Sequence, residues 1–344
     1  MKKTFRIIFF LLLIAAAYAG WNFFGPTVSA PEGKYLFIHT GATYEDVKAS
    51  LKEQHILSGT FFFDKAAMIL KYRNHIKPGR YEIKNNSSIL SLVRMLKSGN
   101  QSPVKLVINK LRTKEDLASK ISNNFECDSA QVMNFLTSTD SLADWHLDSN
   151  TVMTAVIPNT YEILWNSSFK KIFGKFKKAE EIFWNDARLK KAAEKNLSPL
   201  QVYTLASIVE EETNKPEDKG PIASVYLNRY LSGQKLQADP TVKYAMRNFA
   251  LKRIYEKYLQ FDSPYNTYAH TGFPPGPICT PSTKTLDAVL DAPPTNYMYF
   301  VAKPELNGYS NFAATYAEHL IFAKAYQKAL DSMWAKKQAA DNSQ

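Results

Sequence analysis

Residues 198–213, S-P-L-Q-V-Y-T-L-A-S-I-V-E-E-E-T, form a short apolar helix pattern that runs into three consecutive carboxylates. Ser198 supplies an N-cap oxygen, and Pro199 suits a first helical turn, where its missing N–H leaves nothing unpaired. Val202, Leu205, Ala206, Ile208 and Val209 recur at three- and four-residue steps and predict one buried face. The same steps land on Glu212, whereas Thr204, Ser207 and Glu211 mark an opposite, water-facing side and Glu210 falls between. A carboxylate at a core position is partly desolvated, its pKa rises, and it can hold a proton near neutral pH, as a general acid must. The pattern also leaves a plainer alternative open, a solvated helix end. Three glutamates are nevertheless badly placed at a helix C-terminus, where the dipole favours cations.

Around this stretch, 344 residues suffice for two domains with cores of their own. With 45% hydrophobic and 22% charged residues, wholesale disorder is excluded. A formal net charge of +11 favours an anionic partner: nucleic acid, acidic phospholipid or an anionic cell wall. At the N-terminus, Lys2, Lys3 and Arg6 precede an apolar run from Ile7 to Ala19, extended by Gly20, Trp21, Phe23 and Phe24. A cleaved signal peptide fits the run and its Ala17-Tyr18-Ala19 triplet. An uncleaved anchor fits the extension, which brings the span to about 18 residues, and the aromatic cluster at the far interface. The anchor is the reading adopted. Either way the positive flank stays in the cytoplasm and the body is exported, which argues against nucleic acid.

Residues 1–25 are thus read as cytoplasmic tip and transmembrane anchor, and 25–33 as an extended linker. Residues 34–100 predict a small α+β module. It has strands near 35–39 and 80–84, a helix opened by the Thr43/Asp46 capping box, a second over 61–72, and a third capped by Ser88 and ended by Gly99. From 104 to 337 a larger mixed α/β domain follows. Its elements are a strand at 104–108, a helix opened near Thr113, a turn and strand at 157–163, and a long basic amphipathic helix over 169–196. After the helix quoted above come another at 221–231, a helix N-capped by Asp239 before Pro240, a strand at 298–301 and a last helix at 315–337. The loop at 265–278, Y-N-T-Y-A-H-T-G-F-P-P-G-P-I, mixes amides, hydroxyls, aromatics, glycines and prolines, a surface suited to sugars. A proline-stiffened surface loop is the alternative.

The six histidines show no metal-ligand spacing, and no G-x-S-x-G, Walker or dinucleotide glycine pattern occurs. A Ser/His/Asp triad needs no sequence proximity and stays open. Cys127 and Cys279 form no framework; a single bridge between them is possible. Elimination leaves carboxylate chemistry, with no cofactor and no metal.

At this point A-S-I-V-E-E-E-T (206–213), A-S-V-Y-L-N-R (223–229), L-Q-A-D-P-T (236–241) and Y-N-T-Y…G-F-P-P-G-P-I (265–278) together resemble the YceG-like family of endolytic murein transglycosylases. The resemblance implies a single-pass inner-membrane protein with a LysM-like module at 34–100 before a YceG-like catalytic domain at 104–337. It implies cleavage of the MurNAc–GlcNAc β-1,4 bond without water, leaving 1,6-anhydro-MurNAc ends, with Glu212 as acid and then base. Gln237, Asn266, Tyr265 and Tyr268 would bind sugar; Glu210 or Asp239 would tune Glu212 by like-charge repulsion. Peptidoglycan glycan strands are the implied substrate and cell-wall synthases the implied partners. Asn159 and the Asn109-Lys110-Leu111-Arg112 segment depart from the family pattern, so no catalytic role is assigned to them. A hydrolytic muramidase and a non-catalytic wall-binding scaffold are the competing readings.

Overall fold

The structure, a computed structural model, describes residues 2–251 and 253–341. It divides into two compact units: Met1–Leu106 with Ile121–Asp128 and Tyr161–Ser168, and Val107–Lys120 with Ser129–Thr160 and Phe169–Gln344. Unit 1 thereby takes in two short pieces that lie within the 104–337 span of the sequence reading.

In unit 1 the apolar run is one helix, α1 (Lys2–Phe24). The following segment, read as an extended linker, is held against the rest of unit 1. Val28 is buried, donates its N–H to the Ser87 carbonyl and accepts from Asn86, and the Ser29 N–H bonds the Ile56 carbonyl. Extended backbone beside a strand end finds partners there and stops being a tether. β1 (Tyr35–Ile38) pairs antiparallel with β2 (Gly79–Glu82), Tyr35 opposite Glu82 and Ile38 opposite Gly79. Between them run α2 (Tyr44–Glu53), opened by the predicted capping box, and α3 (Phe61–Ile69). α4 (Ile89–Ser98) starts at the Ser88 cap and stops at Gly99, whose φ of 73° is the left-handed value that ends helices. Leu36, Leu51, Phe63, Tyr72, Tyr81 and Leu96 fill the core beneath. β3 (Val104–Val107) and β4 (Thr160–Ile163) form a further two-stranded pair.

Unit 2 is mainly helical: α5 (Lys114–Ser122), α6 (Ser129–Thr137), α7 (Thr139–Ala143), α8 (Phe169–Phe183), α9 (Asp186–Glu194), α10 (Pro199–Glu212), α11 (Pro216–Leu231), α12 (Asp239–Ala245), α13 (Thr283–Leu290) and α14 (Tyr316–Asp341). It also carries the antiparallel pair β5 (Tyr299–Ala302) and β6 (Ser310–Ala313). The long helix predicted over 169–196 is two helices. Asn185 breaks it by accepting the Arg188 N–H as an N-cap, and Arg188 then forks onto Asp287 of α13 at 2.8 and 3.1 Å. α11 starts five residues before the predicted Pro221 and carries that proline inside it. β6 lies where the sequence pattern marked nothing.

α10 is the centre. It begins with the expected Ser198 cap, strengthened by Gln201 reaching back to the Ser198 N–H. It packs against α9, α11, α12 and α13, and Val202 to Val209 are buried without exception. The water-facing side predicted for it does not exist. Thr204 and Ser207 are buried, and the Glu211 side chain is only 14% exposed. The reason is local chemistry: the Ser207 hydroxyl donates to the Thr204 carbonyl and accepts the Ile278 N–H at 3.0 Å, and its carbonyl takes the Cys279 thiol. Small polar side chains sit inside because they pair backbone that would otherwise be orphaned. Cys127 and Cys279 are buried free thiols. Ser207→Ala strands the buried Ile278 N–H and is expected to cost about 1–3 kcal/mol. The midpoint of chemical unfolding checks this, and an unchanged midpoint would refute that role for the serine.

Candidate active site

The last turn of α10 delivers Glu212 into a cleft of about 290 Å³ in unit 2. α11 contributes Tyr226 and Arg229, three residues apart and so on one helical face. Leu236, Gln237 and Asp239 come from the segment entering α12, Tyr268 from the proline-rich loop, Tyr299 and Phe300 from β5, and His319 from α14.

The Tyr226 hydroxyl donates to Glu212 Oε1 at 2.6 Å. Burial pushes the Glu212 carboxyl from the ordinary 4.5 up to about 7. The Tyr226 bond and the Lys243 charge pull it back, and the negative charges of Asp239 and Glu211 push it further. A carboxyl poised there can give a proton and take one back at neutral pH. Burial likewise holds the Tyr226 phenol well above its usual range, so it stays a donor.

Asp239 stands across the cleft. It does not cap α12, because the N-cap position is Ala238 and Asp239 is already helical. Its carboxylate instead accepts the Tyr268 hydroxyl at 2.6 Å. Gln237 holds a left-handed backbone, φ 55°, unusual for a residue with a Cβ. Its N–H bonds the Thr267 carbonyl, and its side-chain oxygen accepts from Arg229 Nη1 at 3.2 Å, which leaves the amide NH2 as a donor on offer to a ligand. Arg229 also binds the Met298 and Leu236 carbonyls and lies 5.2 Å from the Tyr299 ring. His319 stacks on Tyr299 with centroids 5.3 Å apart; burial first, then Arg229, lowers its pKa, which favours the neutral imidazole.

Of the residues singled out in the sequence, the fold gathers Glu212, Gln237, Asp239 and Tyr268. Asn266 is fully buried: its NH2 binds the Leu259 and Phe261 carbonyls and its oxygen takes the Tyr268 N–H, so it braces the loop from within. Tyr265 tilts against Tyr244 at 4.8 Å with its hydroxyl near Asn150, apart from the groups lining the cleft. Glu210 is spent elsewhere, in an ion pair with Lys219 at 2.8 Å and hydrogen bonds from Ser282 and Thr285. The tuning role therefore falls to Asp239 rather than Glu210. Glu211, expected in water, accepts a two-pronged Arg112 fork at 3.0 and 2.9 Å and lies 3.1 Å from Lys110. Burial works to raise its pKa, and the two cations bring it below the ordinary value. The Lys110–Arg112 segment thus has a structural use. Tyr226, Arg229, Tyr299, Phe300 and His319 are the functional candidates that the sequence pattern missed. Only the first two carried a signal, a three-residue spacing opposite the glutamate-bearing helix.

Among the described residues no group of three or more His, Cys, Asp or Glu could hold a metal ion. A larger cleft of about 420 Å³ between α9, α11 and α13 has its lysines engaged, Lys191 with Asp291 and Lys195 with the Ala292 carbonyl. The Glu212 cleft combines one near-neutral acid, a second carboxylate, amide and guanidinium donors and half-buried aromatic rings. That set suits a polyhydroxylated ring substrate.

The chain matches the YceG-like family over residues 36–325. An endolytic murein transglycosylase of Bacillus subtilis (strain 168) is 42% identical over 132 residues, 38% of this chain and 35% of that protein. A protein of the same name from Streptococcus pneumoniae (strain R6) is 25% identical over 337 residues, 86% of this chain and 60% of that protein. The chain therefore spans less than two thirds of either relative. The crystal structure of a YceG-like protein from Listeria monocytogenes superposes with a TM-score of 0.56 at 25% identity, covering 83% of this chain and 98% of that one.

Two outcomes test the electrostatics. Asp239→Asn removes a charge that raises the Glu212 pKa and should lower it, whereas Tyr226→Phe removes a stabilising donor and should raise it; carbon-13 NMR titration of labelled glutamate reads both, and shifts of one sign would be wrong. At Glu212 the folded state binds more protons than the unfolded chain between pH 4.5 and about 7. The contribution of this group to stability therefore falls as pH rises through that window. Glu212→Gln should stabilise the fold at pH 8 by up to about 3 kcal/mol and leave it unchanged below pH 4.5. Unfolding curves at the two pH values measure the difference.

Proposed function

Because the chain belongs to the YceG-like family, we propose that it is an endolytic murein transglycosylase. The substrate is the glycan strand of peptidoglycan, cut internally at the MurNAc–GlcNAc β-1,4 bond without water. The observation that carries this reading is Glu212, a carboxyl with a pKa of about 7 among aromatic faces. Protonated Glu212 gives its proton to the glycosidic oxygen as the bond from C1 breaks, and the leaving GlcNAc departs as an alcohol. The Glu212 carboxylate then removes the proton from the MurNAc 6-hydroxyl as O6 bonds C1, closing the 1,6-anhydro ring. The proton is returned, no water is consumed, and one carboxyl serves both steps. Tyr226 occupies Oε1, which leaves Oε2 to carry the proton. Positive charge developing at C1 in the transition state lies opposite Asp239, whose side chain Tyr268 holds in place. Gln237 and Tyr268 contact the sugar, and Tyr265 and Asn266 act through the loop they support.

In this reading α1 is a single-pass anchor in the bacterial inner membrane, with its N-terminus cytoplasmic and the body outside. Within Lys3–Phe24 an 18-residue stretch has a mean hydropathy of 2.1, and none of it is buried by the protein. The strand–helix–helix–strand order of β1, α2, α3 and β2 supports a LysM-like module at 34–100, ahead of a catalytic domain at 104–337. A cutter so tethered meets strands as they emerge and can end their elongation, which makes the cell-wall synthases its natural partners.

One observation favours a second reading. A hydrolytic muramidase needs a partner carboxylate, and Asp239 shares the cleft. Product masses after digestion of purified glycan strands separate the two. Anhydro-MurNAc ends are expected, and reducible MurNAc ends would overturn the proposal in favour of hydrolysis. Glu212→Gln should lower the rate by about 10²–10⁴-fold, the range for a lost general acid–base. Undiminished function of this variant in cells would favour a wall-binding scaffold instead.

A further inference from the structure

We propose that α3 is a second membrane contact, lying in the headgroup–acyl boundary of the same bilayer that α1 spans; this rests on the reading of α1 as an uncleaved anchor. The face in question is an apolar stripe with no protein over it. Phe61, Met68 and Ile69 are 64%, 53% and 67% exposed. With Lys65 they occupy the first, fifth, eighth and ninth positions of the helix, which share one side.

Depth decides what covers that face. The charges of Lys3 and Arg6 fix one end of the span, and the apolar run starts at Ile7. From Ile7 to Tyr18 is 12 residues, about 18 Å of helix, well short of a hydrocarbon layer of about 30 Å. Even counted from Lys3 the distance to Tyr18 is about 24 Å. Only by running on to Phe24, about 27 Å from Ile7, does the helix approach the required length. The bilayer must therefore reach beyond Tyr18.

Yet Tyr18 is already beside unit 1. Its ring meets Phe62 of α3 at 5.8 Å, and Phe23 meets the same ring at 5.4 Å. Phe62 in turn touches Phe61 at 5.2 Å, so the aromatic surface runs unbroken from α1 onto the exposed stripe. Tyr18 lies about 9 Å of helix before Phe24, within the 5–10 Å by which interfacial helices sink their apolar faces. The charges agree. Lys65, inside the stripe, has its ammonium 5.5 Å from the Phe61 ring, a stem along apolar surface with a head free to reach phosphate. Asp64, the acidic residue of α3, is turned to the Tyr44 hydroxyl, Lys48 and Arg73. The segment after α1 is hydrogen-bonded into unit 1 and cannot swing α3 away.

The test uses the full chain in nanodiscs of phosphatidylethanolamine and phosphatidylglycerol, spin-labelled at one cysteine at a time with Cys127 and Cys279 changed to Ala. Labels go at Leu12 of α1, at Met68 and Ile69 of α3, and at Glu53 of α2 as a water-facing control. Collision with dissolved oxygen should exceed collision with a water-soluble nickel chelate several-fold at 12, 68 and 69, and the order should reverse at 53. Should the cysteine-free chain not fold, Ile69→Cys in the chain that keeps its two buried thiols gives the same reading. Labels at 68 and 69 that behave like the control, while Leu12 is in lipid, would overturn the α3 contact and leave the anchor standing. A water-exposed Leu12 overturns both. Protection from both reagents at 68 and 69 means that a protein covers the face, and this too defeats the proposal.

Discussion

A carboxyl at the end of a helix that is core on every side is the constraint on which the site depends. α10 packs against four other helices, which fixes where its last turn delivers Glu212. The cost of its burial is what raises the Glu212 pKa, and the protein offsets only part of it with the Tyr226 hydroxyl. Three successive glutamates then meet three fates, because each residue of a helix turns about 100° from the last. Glu210 points to Lys219, Glu211 to Arg112 and Lys110, and Glu212 to the cleft. The first two are paired with cations where they stand. The third instead accepts from a neutral phenol and faces the cleft.

The loop around 265–278 works by facing inward as much as outward. Asn266 spends its whole amide on loop backbone, and Thr267 bonds Ala238, Thr241 and the Gln237 N–H. Those bonds hold Gln237 in its left-handed conformation, a strained state kept because its surroundings over-determine it. The polarity that reads as a sugar surface in one dimension is thus largely scaffolding, with Tyr268 as the member that reaches the cleft.

Unit 1 shows the complementary case. Its strands, caps and helices are legible because each is announced by local residues: Thr43 and Asp46, Ser88, Gly99, and the alternation at Tyr81 and Ile83. What the local pattern did not show was how the extended segment at 25–33 is held. Its hydrogen bonds go to Ser87 and Ile56, residues too distant in sequence to be anticipated.

By itself the sequence determined the mixed α+β class, the apolar N-terminal helix and the Ser198 cap, because helical period and capping chemistry act within a few residues, and it put Glu212 forward as a candidate. The tertiary structure alone decided how α10 is surrounded, which carboxylate tunes Glu212, and that Tyr226, Arg229, Tyr299 and His319 line one cleft with it. Those facts depend on side chains brought together from α11, β5 and α14, up to 107 residues beyond the glutamate. Burial and electrostatics follow distance in space, and no local pattern encodes it.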